Sequence, residues 1–137
     1  MAVQFSTAAR NAALDALETA MGASAILKFF DLAAGAPANC AASITGTVLA
    51  TLNLPADYMA AASGGVKSLT GTWTDASADA AGIADFYRIF ATDGVTCHEQ
   101  GIVTATGGGG DMTVDNTNFA AGQPVTVTSK TWTAGGA

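Results

Sequence analysis

The chain has 137 residues, of which 31 are Ala and only 10 are Phe, Tyr or Trp, so its 50% hydrophobic content overstates the bulk available to a core. That length is one domain, large enough to bury a core without metal or disulfide support. Five basic against eleven acidic side chains give a formal charge of −6, which argues against a nucleic-acid partner, and no run of about 18 large apolar residues marks a membrane-spanning helix.

The first twenty residues carry Arg10, Asp15 and Glu18 where a secretory signal would be uninterruptedly apolar, which points to a chain made and assembled in a cytoplasm. Ser6 is a candidate N-cap, Thr7–Met21 reads as a helix, and Gly22 supplies its stop. Ala9, Ala13, Leu14, Leu17 and Met21 fall on one stripe, expected to lie against a sheet or to form an arm. Asn11, Asp15, Glu18 and Thr19 take the other side. Residues 1–22 are therefore read as a helical segment and residues 23–137 as a β domain.

After Gly22 the texture becomes β. Strands are predicted at 25–31, 47–54, 66–74, 83–91, 96–104, 112–114 and 124–133, and 16 of the 18 Thr residues lie after residue 40. Within 47–54, Val48, Ala50, Leu52 and Leu54 alternate with Thr47, Leu49, Thr51 and Asn53. Gly35-Ala36-Pro37, Ser63-Gly64-Gly65, Asp93-Gly94, Gly107 to Gly110 and Gly122-Gln123-Pro124 have turn chemistry, and Asp93-Gly94 is a hairpin signal. The expected fold is mainly β: an antiparallel sandwich, jelly-roll-like, or a small barrel, of about seven strands preceded by one helix.

Motifs that suggest chemistry have plainer explanations. The run Gly107 to Gly110 lacks the following helix and the Lys of a phosphate loop, so a hairpin connection is expected. Asp111, Asp115 and Asn116, even with Asp93, miss calcium-loop spacing and read as turn residues. Cys97 and His98 are adjacent on a strand and point to opposite faces, which separates a nucleophile from its base and leaves no metal spacing. Asp75, Asp79, Asp85 and Glu99 carry no cleft signature for paired-carboxylate hydrolysis. Tyr58, Trp73, Tyr87 and Trp132 would suit a sugar platform, but core or interface packing is the default. Cys40 and Cys97 are too few for a disulfide framework and are expected as small buried thiols, with a bridge left open under oxidising surroundings. No enzyme activity, cofactor or metal is expected.

The order of segments is similar to a group of small virion-associated proteins of tailed bacteriophages. The resemblance runs through Phe5-Ser6-Thr7-Ala8-Ala9-Arg10-Asn11, Ala36-Pro37-Ala38-Asn39, Gly71-Thr72-Trp73, Phe86-Tyr87-Arg88-Ile89-Phe90, Asp93-Gly94-Val95-Thr96-Cys97-His98, Gly110-Asp111-Met112-Thr113-Val114 and Ala121-Gly122-Gln123-Pro124-Val125, so it spans nearly the whole chain. It implies a virion structural protein, and with the acidic charge a capsid decoration or cement protein on the head exterior. The partners expected are the major capsid protein or other virion proteins, with self-association as a trimer and no nucleic acid or membrane. The alternatives are a tail, neck or baseplate component, or a lectin-like module binding host glycans. Phe5, Arg10, Leu14, Trp73 and Trp132 are the expected interface residues.

Overall fold

A computed structural model describes residues 1–32 and 34–137. The fold is mainly β, with one helix and a mixed sheet of eight strands. Helix α1 spans Thr7–Met21, the bounds its capping residues predict. Ser6 Oγ accepts the Ala9 N–H at 3.1 Å, and Gly22, at φ 84°, donates its own N–H to Glu18 O. The helix packs on the sheet, but rotated from its apolar stripe so that only part of that stripe is inward. Leu14 and Met21 are buried, while Ala9, Ala13 and Leu17 face solvent.

Among the described residues the strands are, in chain order, β1 (Ile26–Asp31), β2 (Thr47–Asn53), β3 (Val66–Ser68), β4 (Thr74–Asp75), β5 (Gly82–Ile83), β6 (Phe86–Phe90), β7 (Cys97–Ala105), β8 (Met112–Val114), β9 (Asn118–Phe119) and β10 (Val125–Thr133). The large sheet runs β2-β1-β6-β7-β8-β10-β3, with β4 also on β10, and β5 pairs with β9 apart from it. Strand β2, at one end of the large sheet, is hydrogen-bonded to β4 and the loop that follows: Thr51 N–H donates to Asp75 Oδ2, and Asp79 N–H donates to Leu49 O at 2.7 Å. Between β6 and β7 lies the hairpin that Asp93-Gly94 predicts. Asp93 Oδ1 accepts the N–H groups of Val95 and Thr96, and Gly94 has φ 68°.

Several strand expectations are revised. Segment 66–74 is broken by Gly71, at φ 71°, and 83–91 is broken at Ala84-Asp85, where Asp85 Oδ1 accepts the Leu32 N–H. The two-residue β9 has no counterpart in the sequence reading. Nor is the sheet all antiparallel: β7 and β8 pair in parallel, with Val103 opposite Met112. Parallel neighbours ordinarily need a crossover of a dozen or more residues. Here the Gly run does it by doubling back over Thr104, so tightly that a Cβ at Gly108 or Gly110 would stand 2.7 or 2.9 Å from that residue. The expected hairpin connection is thus a return loop, in which Gly108 and Gly110 answer to close approach and Gly107 and Gly109 to a positive φ.

Two apolar clusters lie on opposite faces of β1 and β6. Leu27, Phe29, Tyr87 and Ile89 belong to the main core, together with Leu14 and Met21 of α1. Phe30, Phe86 and Phe90 form the second cluster, against which Ile26, Ile44 and Val48 pack. A bulge links the two. Phe29 is paired with Ala50 but Phe30 with Val48, which leaves Leu49 as the extra residue on β2. Leu49 therefore joins Ala50 and Leu52 in the main core, against the strict alternation expected of 47–54.

Segment 34–46 lies against the second cluster through Ile44, and it is tied down by side chains of the sheet. Arg88 Nη2 donates to Asn39 O and Ala42 O, and Gln100 Nε2 donates to Pro37 O. Cys40 in this segment is disulfide-bonded to Cys97 at the start of β7, with a Cα–Cα distance of 5.4 Å. The expectation of two buried thiols is corrected accordingly: both sulfurs are paired, and both residues are only half-buried.

Candidate functional site

The unusual feature of the surface begins with how α1 docks. Asn11, Leu14, Asp15, Glu18 and Met21 recur every three or four residues and share the inward side. Their polar members serve the backbone of segment 59–65, which borders β3. Asn11 Oδ1 accepts the Gly65 N–H at 2.8 Å, Asp15 Oδ1 accepts the Ala62 N–H, and Glu18 Oε1 accepts the Met59 N–H. An edge segment whose N–H groups lack a strand partner is covered in this way by helix side chains.

Lys67 of β3 completes the junction. Its side chain is 3% exposed, and its Nζ lies 2.7 Å from Asp15 Oδ1 and 2.8 Å from Glu18 Oε2. Burial alone would pull the ammonium's pKa down, but the hydrogen bonds to Asp15 and Glu18 outweigh it and leave the pKa raised. The hydrogen bond from Lys67, helped by the Ala62 N–H, holds the Asp15 carboxyl below its ordinary range. A cleft of about 430 Å³ beside this junction is lined by Asp15, Glu18, Asp57 and Lys67.

Because α1 is held by its polar side, its apolar side is left to solvent. Ala9, Ala13, Ala16 and Ala20 are exposed there, flanked by Leu17 at 42% exposure. The preceding segment extends the patch with Val3 at 75% and Phe5 at 56%. Phe5 donates its N–H to Gly136 O at 2.7 Å, which fixes that segment beside the last strand. Phe5, Ala9, Arg10, Ala13 and Ala134 line a shallow, mostly apolar hollow. A connected apolar surface of this kind marks an interaction site more often than an accident of composition.

Of the expected interface residues, Phe5 and Arg10 stand at this surface. Leu14, Trp73 and Trp132 do not: all three are buried in the main core and are corrected to core residues. Trp73 is large enough to fill the space beneath Tyr58, with ring centroids 6.0 Å apart, and its indole N–H donates to Tyr58 O and Thr70 O. Trp132 donates its indole N–H to Glu99 Oε2 at 2.8 Å. Tyr58 and Tyr87 are buried as well, so the four aromatic residues weighed as a glycan platform lie inside the protein.

The polar candidates are dispersed among turns. Asp75 accepts the Ser77 N–H, Asp111 the Ile102 N–H and Asp115 the Thr126 N–H. His98 is exposed on β7. Among the described residues no three His, Cys, Asp or Glu side chains converge in a metal-binding group. Glu99 is engaged in the core, where it forms an ion pair with Lys130 and accepts the Tyr87 hydroxyl. Burial, with Glu99 next in effect, drives the Tyr87 phenol far above its ordinary pKa.

Tyr58, like Arg10 Nε, departs from this pairing. Its hydroxyl is buried and has no hydrogen-bond partner among the described residues. Burial, reinforced by Glu18 and then Glu99, pushes its pKa up to about 12. Two outcomes follow. Tyr58→Phe should leave the protein as stable as before or stabilise it by about 1 kcal/mol, since an unpaired buried hydroxyl is removed, as equilibrium denaturation will test. Stability should also fall as pH rises from about 10 towards 12. In that window the unfolded state loses the Tyr58 proton while the folded state keeps it, and Lys67, raised above 10.5, loses its charge and its grip on α1 as pH passes its folded pKa. Denaturation midpoints measured across this range will check it, and a flat profile would contradict the buried positions of both groups.

Comparison with protein-family models, with curated proteins and with solved structures finds no match for this chain.

Proposed function

We propose that the chain is a structural subunit of a tailed-bacteriophage virion, a capsid decoration or cement protein that binds the major capsid protein on the head exterior. The observation that carries this reading is the outward apolar side of α1, continuous with Val3 and Phe5. A helix that spends its polar side chains on its own sheet and turns Ala and Leu outward is prepared to be covered by another protein. Ala keeps such a surface flat, so a partner approaches closely over a broad area. The −6 charge suits a position away from packaged DNA. The approach of β2 to β4 across the main core supports the sandwich- or barrel-like shell expected of such subunits, and three copies sharing the α1 surface with the capsid would give the trimer that the resemblance implies.

The test is co-sedimentation with assembled capsid shells, followed by electron cryomicroscopy of decorated particles. Leu17→Asp and Ala13→Arg should weaken binding about tenfold or more while leaving the melting temperature unchanged, because both positions are exposed. Binding that ignores both substitutions would remove α1 from the interface. Density confined to the tail would replace the capsid reading with the tail, neck or baseplate one.

A further inference from the structure

We propose that the Cys40–Cys97 bond is a redox latch: two-electron reduction frees segment 34–46 from the sheet and uncovers Phe30, Phe86 and Phe90, and oxidation closes it again. The inference does not depend on the virion reading. It rests on what the bond connects, what lies beneath it and what else holds the segment.

The bond joins a non-strand segment to the first residue of β7 and does not run through the main core. Both cysteines are half-buried, and neither belongs to the main core. Beneath them Phe30, Phe86 and Phe90 are almost wholly buried although they lie on the face of the sheet turned away from the main core. Lys28 Nζ, 5.1 Å from the Phe90 ring centroid, covers one margin of that cluster, and Ile44 packs on it from the segment. Ile26, Leu32, Val48 and Cys97 pack on the same cluster from outside the segment, so Ile44 is the apolar cover that opening removes.

Apart from the disulfide, the polar ties between the segment and the sheet among the described residues are three carbonyls. Asn39 O and Ala42 O accept from Arg88, and Pro37 O accepts from Gln100. The segment's own hydrogen bonds are local, Asn39 accepting from Ala41 and Ala42. The Arg88 guanidinium does not depend wholly on the segment, because Gln100 Oε1 accepts from both its Nε and its Nη2. Opening therefore leaves Arg88 partly paired and admits water to its remaining donors, where a wholly segment-bound cation would resist release. The main core, with α1, Trp73 and Trp132, lies on the other face and keeps its contacts.

The exchange balances with a dithiol as reductant. Its first thiolate attacks one sulfur of the pair and forms a mixed disulfide while the other cysteine leaves as a thiolate and takes a proton. Its second thiol then displaces the remaining cysteine. The reductant departs as a disulfide, having given up two electrons and two protons, and Cys40 and Cys97 become thiols. Glutathione disulfide drives the reverse reaction.

The full chain should be followed by hydrogen–deuterium exchange and by a dye that fluoresces on apolar surface, first oxidised, then in dithiothreitol, then after re-oxidation with glutathione disulfide. Exchange within residues 34–46 should rise about tenfold or more on reduction. Dye fluorescence should rise with it, the near-ultraviolet signal of Trp73 and Trp132 should persist, and re-oxidation should reverse all changes. Cys40→Ser should behave as the reduced protein does without any reductant. Unchanged exchange and dye binding on reduction would overturn the latch, since Arg88 and Gln100 would then suffice. Loss of the tryptophan signal would overturn it too, because the bond would then hold the whole fold. If Cys40→Ser fails to fold, the reduced wild-type chain decides between these outcomes alone.

Discussion

Glu99→Ala should lower the unfolding free energy by about 3–5 kcal/mol, the loss expected when one partner of a buried ion pair is removed. Lys130 is held inside the protein by three groups: its Nζ pairs with Glu99, donates to the Tyr87 hydroxyl at 2.6 Å, and sits 5.0 Å from the Tyr87 ring centroid. The Tyr87 hydroxyl in turn donates a hydrogen bond to Glu99 Oε1 at 2.5 Å, and the Trp132 indole N–H donates to Oε2. Removing the carboxylate leaves the Lys130 ammonium with only the Tyr87 hydroxyl and takes the acceptor from both the phenol and the Trp132 indole N–H. The paired replacement Glu99→Leu with Lys130→Met should recover most of the loss, because the desolvation of both charges disappears together. Urea denaturation of the two single variants and the double variant will show this as a coupling. A double variant whose loss equals the sum of the single losses would mean that the two side chains do not depend on each other.

Loss of the disulfide should be the other large effect, about 4 kcal/mol for a pair separated by 57 residues, because the cross-link removes chain entropy from the unfolded state. Denaturant titrations with and without dithiothreitol, and of Cys97→Ser, should agree on that figure. The native state should survive at ordinary temperature, since domains of this size are commonly stable by about 5–15 kcal/mol. A change below about 1 kcal/mol would show that the unfolded chain gains little freedom when the bond is cut. This global effect is distinct from the local opening of segment 34–46. The first is set by the unfolded ensemble, and the second by how strongly Arg88 and Gln100 hold the segment in the folded one.

Local signals in the chain were reliable where the physics is local. Ser6 and Gly22 bracket α1 because a capping hydroxyl and a residue free to take φ 84° act within one turn. The Asp93-Gly94 hairpin closes through bonds spanning two or three residues. Segments 47–54, 96–104, 112–114 and 124–133 correspond to strands within about two residues, as β-branched and alternating runs bounded by turn residues should. Gly71 was the sign that 66–74 is two strands, and it was readable in the sequence.

Apolar periodicity found only Leu14 and Met21 of the inward side of α1 and misplaced Ala9, Ala13 and Leu17, because Ala is almost indifferent to burial. The decision fell to Asn11, Asp15 and Glu18, which also recur at helical spacing but whose partners, the N–H groups of Gly65, Ala62 and Met59, lie 41 to 54 residues away. The same holds for Lys67 and Lys130, whose charges would place them on the surface until the carboxylates that receive them are in position. Helix α1, the longer strands, the Asp93-Gly94 turn and the overall acidity were legible from the chain alone, since these follow from backbone preference and composition. Only the tertiary structure decided the parallel pairing of β7 with β8, the union of Cys40 with Cys97, the burial of Trp73 and Trp132, and the outward turn of the alanine side of α1. Each of those depends on a group distant in the chain, and no local preference carries information about a partner that folding has yet to bring near.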